Sequence, residues 1–165
     1  MIGIFYFNDL ENFLRSPLTS HVKIHIDLMR QNIVAQSIEA LETAFASCSN
    51  LKSLDLSLQV NSLGAQGAKV LGKSLKNCST LQDLTISLEV NQIGAKGAIN
   101  LCSALTKCAN IETLTLSLRQ VSIRKYYIVP EILQENLNNQ LYCIFCSFCI
   151  LNYFKNNIQY QNINK

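Results

Sequence analysis

Residues 51–68 read LKSLDLSLQVNSLGAQGA, and residues 81–98 read LQDLTISLEVNQIGAKGA. The second stretch repeats the first at a distance of 30 residues, and residues 111–118, IETLTLSL, begin a third copy. Recurrence at a fixed period of this size is typical of chains that stack copies of one supersecondary unit. The sequence therefore predicts a solenoid, in which each unit packs mainly against its neighbours.

Each repeat contains two halves whose apolar residues follow different periods. In the first half, Leu54, Leu56 and Leu58 alternate with polar residues, which indicates a strand with one buried face. In the second half, apolar residues from Ala68 to Cys78 recur at steps of three and four, which indicates one face of a helix. Because neither half can bury its apolar face alone, we expect the units to stack.

The expected architecture is α/β, with a parallel sheet on the inside of the stack and helices on the outside. Helix axes need roughly 8–10 Å between them, whereas neighbouring strands need only about 4.8 Å. The stack should therefore curve, so that the sheet lines a concave face.

The repeated motif closely resembles the leucine-rich repeat, and in particular its ribonuclease-inhibitor-like subclass. It reads L-x-x-L-x-L, then Asn, then Ile or Leu followed by G-x-x-G-A. The resemblance covers roughly residues 21–120 and implies a horseshoe-shaped segment of a leucine-rich-repeat solenoid. The usual repeat has about 28 residues, and here two more precede the Asn. Two residues is the period of a strand, so we expect longer strands with unchanged faces.

The period also divides the chain into regions. We expect an N-terminal flank or cap at residues 1–20, and a C-terminal helical cap or poorly ordered tail at residues 121–165. Between them, residues 21–120 should contain the repeats, of which the first is degenerate in its loop. The expected units are residues 21–50, 51–80, 81–110 and, in part, 111–120.

Asparagines and glycines recur at the turn that ends each strand. In the family that the chain resembles, the asparagine side chain bonds backbone groups of this turn, whose amides lack a strand partner and are costly to bury unpaired. Glycine suits positions that need unusual dihedral angles or close approach. The residues expected to serve the architecture are Asn61, Asn91, Gly64, Gly94, Gly67 and Gly97.

The strand residues that point away from the helices should form the concave surface, where a partner could bind. Most are small and polar, and the repeat columns offer no aromatic anchor of the kind that dominates binding energy. The surface therefore suits a polar partner, or else is an ordinary solvated sheet face. The predicted protein-binding residues are Asp27, Asp55, Ser57, Gln59, Asp83, Thr85, Ser87, Glu89, Thr115, Ser117 and Arg119.

One stretch matches a nucleotide-binding motif, but the repeat offers a simpler explanation. Residues 67–74, GAKVLGKS, fit G-x-x-x-x-G-K-[ST]. That loop must leave a strand and open a helix, so that its amides can bind phosphate. Here the stretch falls inside the predicted helix, with Leu71 on the buried face. We expect Lys73 to be solvated and no nucleotide to bind.

The cysteines support neither a disulfide nor a metal site. Cys48, Cys78 and Cys108 recur at the repeat period, but stacked helices should hold them farther apart than the roughly 7 Å that a bridge allows. We expect small buried residues instead. The run from Cys143 to Cys149 lacks the fourth cysteine and the proline of a ferredoxin-type iron–sulfur motif. No metal and no other cofactor is predicted.

Composition argues against several other classes of protein. The chain is 48% hydrophobic and 15% charged with a net charge of +3, and it has no basic run that would favour nucleic acid. Residues 1–7 lack the basic start of a signal peptide. The apolar segment from Leu141 to Phe154 is shorter than the about 20 residues of a membrane span. We expect a cytoplasmic protein, with membrane association the less favoured alternative.

The predicted function is a non-catalytic protein-interaction module or scaffold, because no nucleophile–base pair and no paired carboxylates stand out. Its partner would be an unidentified protein, with no small-molecule substrate; this inference rests on analogy between folds. Loss of the pattern after Leu118 also suggests a truncated piece of a larger leucine-rich-repeat protein. A regulator of a small GTPase or kinase stays open too, since Arg30, Arg119 and Arg124 lie near the predicted strand ends.

Overall fold

Strands and helices alternate along the part of the chain that the computed structural model describes, residues 3–118. This alternation confirms the α/β class that the two periods of the repeat predict. The elements are β1 (Phe5–Phe7), α1 (Leu10–Leu14), a 3-10 turn (Leu18–Ser20), β2 (Lys23–Asp27), α2 (Ala35–Ser47), β3 (Ser53–Ser57), α3 (Gly64–Lys76), β4 (Asp83–Ser87), α4 (Gly94–Leu105) and β5 (Thr113–Ser117).

The five strands form one parallel sheet in the order β1-β2-β3-β4-β5. From β2 onward, each residue pairs with the residue 30 positions later, so that Ile24, Leu54, Leu84 and Leu114 form one row across the sheet. The pairing offset therefore equals the sequence period. Each helix lies between two consecutive strands, and neighbouring helices α2, α3 and α4 pack on one another.

One hydrophobic core fills the space between the sheet and the helices. Leu54 and Leu56 of β3 are buried in it, as are Leu71 and Leu75 of α3. The strand alternation and the helix spacing thus identify the buried faces correctly. Burying a side chain of this size stabilises the fold by about 1.5–3 kcal/mol. The same pattern of buried strand and helix residues recurs in the units of residues 21–50, 51–80 and 81–110.

The two residues that lengthen each unit lie beyond the strand, so the expectation of a longer strand is wrong. β3 ends at Ser57, although Leu58 N donates to Ser87 O at 2.8 Å and Val60 N to Glu89 O at 2.9 Å. Val60 then takes a left-handed conformation, with φ of 55°. Bonding between units therefore continues past the strand, but the chain has begun to turn.

The turn after β3 is organised around the buried side chain of Asn61. Its Oδ1 accepts hydrogen bonds from Gln31 N at 3.1 Å and Ile33 N at 2.9 Å, both in the preceding unit. Its Nδ2 donates to Leu28 O at 2.8 Å and Leu58 O at 2.9 Å. One amide thus joins two consecutive turns and satisfies backbone groups that no strand pairs.

Asn91 repeats this arrangement one unit later. Its Nδ2 donates to Leu58 O at 2.7 Å and Leu88 O at 3.2 Å, and its Oδ1 accepts from Leu63 N at 3.4 Å. Buried polar groups are tolerated when they are bonded in this way, and are costly when they are not.

The recurring glycines occupy two kinds of position. Gly64 and Gly94 have φ of 58° and 63°, a left-handed conformation that glycine adopts without a steric cost. Gly97 is needed for a close approach, since a Cβ there would lie 2.8 Å from Ala65 Cα in the preceding helix. Gly67 is similar, with Leu63 Cβ 2.8 Å from the place of its missing Cβ.

The N-terminal region adds a strand that the repeat does not predict. β1 pairs in parallel with β2, joining Phe5 to Ile24 and Phe7 to Ile26, at an offset of 19 residues. Phe13 of α1 is fully buried, and its ring centroid lies 5.9 Å from that of Phe45 in α2. The described part of the expected flank, residues 3–20, is thus packed onto the first repeat.

A buried histidine packs against β1, and one of its ring nitrogens has no hydrogen-bond partner within the described part of the chain. His21 is 1% exposed, and its ring centroid is 4.6 Å from that of Phe5 and 5.5 Å from that of Phe7. Its Nε2 is 2.7 Å from Ser16 Oγ, whose own proton goes to Phe13 O. Nε2 therefore carries the ring proton, while Nδ1 is buried with no hydrogen-bond partner among residues 3–118. Burial lowers the pKa of His21 from its ordinary value of 6.5.

Asn91→Ala removes the amide that joins two units in a buried turn. We expect this change to lower the free energy of unfolding by about 1–3 kcal/mol. Ser87→Ala, on the solvent side of β4, should change it by less than about 0.5 kcal/mol. Urea unfolding followed by circular dichroism measures both variants, and equal effects would contradict the assignment of buried and open faces.

The lowered pKa of His21 should make the fold sensitive to acid. Because the pKa in the folded state lies below 6.5, the unfolded chain binds the proton more readily, and stability falls as the pH drops below about 6.5. In His21→Phe, the melting temperature should therefore depend less on pH between pH 7 and pH 5. Asn91→Ala, which alters no titratable group, should keep the slope of the unmodified chain. The same slope in His21→Phe would refute this origin of the acid sensitivity.

Candidate protein-binding face

The strand residues that point away from the helices form a continuous polar surface, which we call the open sheet face. Its rows follow the register, for example His25, Asp55, Thr85 and Thr115 side by side. All its members are exposed or half-buried, whereas the residues that alternate with them in β2–β5 are buried. The open sheet face consists of Tyr6, Lys23, His25, Asp27, Ser53, Asp55, Ser57, Gln59, Asp83, Thr85, Ser87, Glu89, Thr113, Thr115 and Ser117.

The structure places every predicted binding residue except Arg119 on this face. Arg119 lies outside the described residues. Gln59 and Glu89 come two residues after their strands end, and they remain half-buried on the same side. Glu89 Oε1 accepts a hydrogen bond from Ser117 Oγ at 2.7 Å, which holds this carboxylate over the ends of β4 and β5.

A histidine–aspartate pair occupies the N-terminal part of the open sheet face. His25 Nδ1 lies 2.9 Å from Asp55 Oδ2, and both side chains are partly exposed. The ring of Tyr6 sits 5.4 Å from that of His25, on the opposite side of the histidine from Asp55 in strand order. His25 and Asp55 are 30 residues apart, so their pairing could have been predicted from the period. The position of Tyr6 could not, because it lies on β1, which is not part of the repeat.

Acidic side chains outnumber basic ones on the open sheet face. Lys23 is the single lysine or arginine in this set. The acidic members are Asp27, Asp55, Asp83 and Glu89. An excess of one sign of charge on a surface attracts partners of the other sign and speeds their encounter. The effect weakens with salt, because exposed charges are screened within about 10 Å at 0.1 M ionic strength.

The helical side of the second and third repeats carries the opposite charge. Residues 56–82 and 90–111 contain lysines but no aspartate or glutamate. The basic residues on or just after α3 and α4 are Lys69, Lys73, Lys76, Lys96 and Lys107, all exposed. Glu42 of α2 reaches this side, where its Oε1 lies 2.9 Å from Lys73 Nζ. The two faces of the stack therefore differ in sign as well as in structure.

The described cysteines are free thiols inside the stack, or close to its surface in the case of Cys108. Burial raises the pKa of Cys48 to about 11 and the pKa values of Cys78 and Cys102 to about 12. These thiols stay protonated at neutral pH, and a protonated thiol is a poor nucleophile and a poor metal ligand. The run from Cys143 to Cys149 lies outside the described residues.

Residues 3–118 contain no group of three or more His, Cys, Asp or Glu side chains placed to hold a metal ion. No helix in this range has the length and apolar character that crossing a membrane requires.

The nucleotide-binding match lies within α3, as the repeat predicts. α3 begins at Gly64 and continues to Lys76, so residues 67–74 are helical and do not form a loop at a helix start. Ser74 is buried and donates to Val70 O at 3.0 Å. Gly72 has a packing reason, because a Cβ there would lie 2.7 Å from Ala104 Cβ in α4. The stretch is thus explained by helix packing.

Lys73 should have no role in binding phosphate, since it is exposed on a helix and paired with Glu42. We expect isothermal titration of ATP with magnesium to give no saturable binding to the unmodified chain, and no difference for Lys73→Ala. Lys69→Ala, on the same helix, serves as the matched control. Micromolar binding that is lost in Lys73→Ala but kept in Lys69→Ala would overturn this interpretation.

No protein-family model and no curated protein matches the sequence. Among solved structures, the chain is similar to one described as leiomodin-1 actin-binding site 2, a leucine-rich-repeat domain. The TM-score is 0.55 over 97% of this chain and 88% of the leiomodin-1 chain, with 14% sequence identity. A likeness at this level of identity shows the fold alone. The chain therefore has the leucine-rich-repeat fold that its 30-residue period predicts.

Proposed function

We propose that the chain is a non-catalytic protein-interaction module, which binds its partner on the open sheet face. One observation supports this proposal above the others: the outward side chains of β2–β5 stand in register as a continuous polar surface, which no helix among residues 3–118 covers. A rigid sheet holds these side chains at fixed spacings, so little order has to be created when a partner binds.

The charge of this face favours a basic partner. Asp55, Asp83 and Glu89 point to the same side of neighbouring units, and His25 already contacts one of the carboxylates. Arginine and lysine side chains of a partner could pair with the carboxylates that have no such contact. Because exposed ion pairs contribute only about 0–1 kcal/mol each, we expect a modest affinity that falls as salt is added.

Actin is the first specific partner to test. The solved structure that this chain resembles is described as an actin-binding site of leiomodin-1. At 14% identity the likeness extends to the fold, so actin enters here as a proposal. The alternatives of a fragment of a larger repeat protein and of a GTPase or kinase regulator also remain proposals. Of the arginines that a regulator would need, Arg30 lies in the turn after β2, and Arg119 and Arg124 lie outside the described residues.

Two finer assignments belong to the same proposal. The ribonuclease-inhibitor-like subclass is supported by the alternation of parallel strands with full helices such as α2 and α3. A cytoplasmic location is supported by the free thiols among residues 3–118, since reduced cysteines are the rule in that compartment.

Reversing charge on the open sheet face should abolish binding. The variant Asp55→Lys/Asp83→Lys places two lysines where a basic partner would meet carboxylates. The matched control is Glu39→Lys, an exposed carboxylate on α2. Quantitative cross-linking in native extract should find proteins attached to the unmodified chain and to the control, with at least a tenfold loss for the double variant. Purified actin, tested by co-sedimentation, forms a separate arm.

The possible outcomes test the binding face and the identity of the partner separately. Equal recovery by the double variant and by the unmodified chain would refute the open sheet face as the binding surface. Binding lost in Glu39→Lys but kept in the double variant would move the interface to the helices. Failure of actin to co-sediment would eliminate actin as the partner and leave the face assignment to the cross-linking result.

A further inference from the structure

The N-terminal edge of the sheet differs from the rest of the described surface. β1 is the first strand in the sheet order, and its one neighbour among the described residues is β2. Three consecutive large apolar side chains are exposed at this edge: Ile4 at 51%, Phe5 at 44% and Tyr6 at 71%. The other large apolar side chains that residues 3–118 expose are Met29, Val34, Val60 and Val90, all in the turns that follow β2, β3 and β4.

β1 lacks most of the features that keep edge strands apart. Edges are usually protected by lysines, prolines, bulges or inward-pointing charges, or by being short. Residues 1–8, MIGIFYFN, contain no charged residue and no proline, and the first charge is Asp9. Only the length of β1, three residues, limits its pairing.

The strand is held in shape before any partner arrives. The ring centroid of Phe7 lies 5.4 Å from that of Phe13, and Phe5 packs on the buried ring of His21. Tyr6 packs on His25 of β2. A strand that is already extended and anchored by its neighbours loses little conformational entropy on binding, which favours association.

We propose that β1 is a self-association surface, on which two copies of this chain join edge to edge. Unpaired backbone groups at a sheet edge bond best to another extended strand. A twofold axis at this edge would make the two β1 strands antiparallel and extend the two five-stranded sheets into one of ten strands.

A second copy fits this edge better than a charged partner does. The patch has no charge to be matched and none to repel its own copy. The net charge of the full chain is only +3, so two copies repel each other weakly. Ile4, Phe5 and Tyr6 would pack on the same residues of the second copy. The proposal does not require the open sheet face to bind a partner, although Tyr6 belongs to both surfaces.

The dimer should be weak. Stable interfaces bury about 800 Å² on each partner, which is more than three side chains and a three-residue edge supply. We therefore expect a dissociation constant of about 10–1,000 μM for the dimer. At these concentrations, sedimentation velocity of the full chain should show a monomer–dimer equilibrium.

Tyr6→Lys tests the proposal, because it places a lysine on the edge strand at its most exposed side chain. It should raise the dissociation constant at least tenfold. Val90→Lys, which makes the same kind of change at an exposed residue of a distant turn, should leave the constant within twofold. Circular dichroism establishes that both variants are folded, and Ile4→Lys replaces Tyr6→Lys if the latter fails to fold.

Hydrogen exchange locates the interface. Amides of residues 4–7 should become more protected as the concentration rises, while those of β5 should not change. The proposal would be overturned if the chain stayed monomeric at protein concentrations up to about 1,000 μM, the weakest association expected for so small an interface. A dimer unaffected by Tyr6→Lys, or protection at β5 in place of β1, would overturn it as well. Protection of β1 only on addition of a different protein would reject the second copy as the occupant.

Discussion

The fold depends on one constraint, which is that every backbone group buried between two units must find a hydrogen-bond partner. The strands from β2 to β5 meet it by pairing with residues one repeat away, and the turns that follow need partners of their own. Strand pairing supplies the first part of this constraint through the rows that join Leu54 to Leu84. The buried amides of Asn61 and Asn91 supply the second, since each bonds backbone groups of two consecutive turns. Without these amides, the turns after β2, β3 and β4 would bury unpaired donors and acceptors.

The same constraint creates the surface proposed for binding. Because the register is fixed and side chains alternate, the residues that face away from the helices line up in rows without any further device. The core makes no demand on these positions, so their chemistry is free to suit a partner. The small residues Ser57, Ser87 and Ser117 form one such row, while carboxylates occupy others. Opposite charge on the helical side then gives the stack two electrostatically different faces.

The sequence was enough to predict the parts of the fold that repeat, because two aligned copies show the same residue types at positions with the same structural role. Buried faces, helix positions and the rows of outward side chains all follow from the period. What occurs once could not be predicted in this way: β1 pairs at an offset of 19 residues, and no second copy reveals it. The expectation of a longer strand fails at Val60, because its apolar side chain continues the alternation while its backbone turns. Arg119 and residues 121–165 lie outside the described part of the chain.

Close packing between α3 and α4 shows that the repeats are alike in sequence but not equivalent in their packing. Gly72 leaves room for Ala104, and a Cβ in its place would lie 2.7 Å from Ala104 Cβ. The equivalent residue one unit earlier is Glu42, whose side chain reaches Lys73 of α3. The interface between α2 and α3 thus accommodates a side chain at the position where the next interface leaves room for none. A unit copied to another place in the array would therefore meet a neighbour with different steric demands.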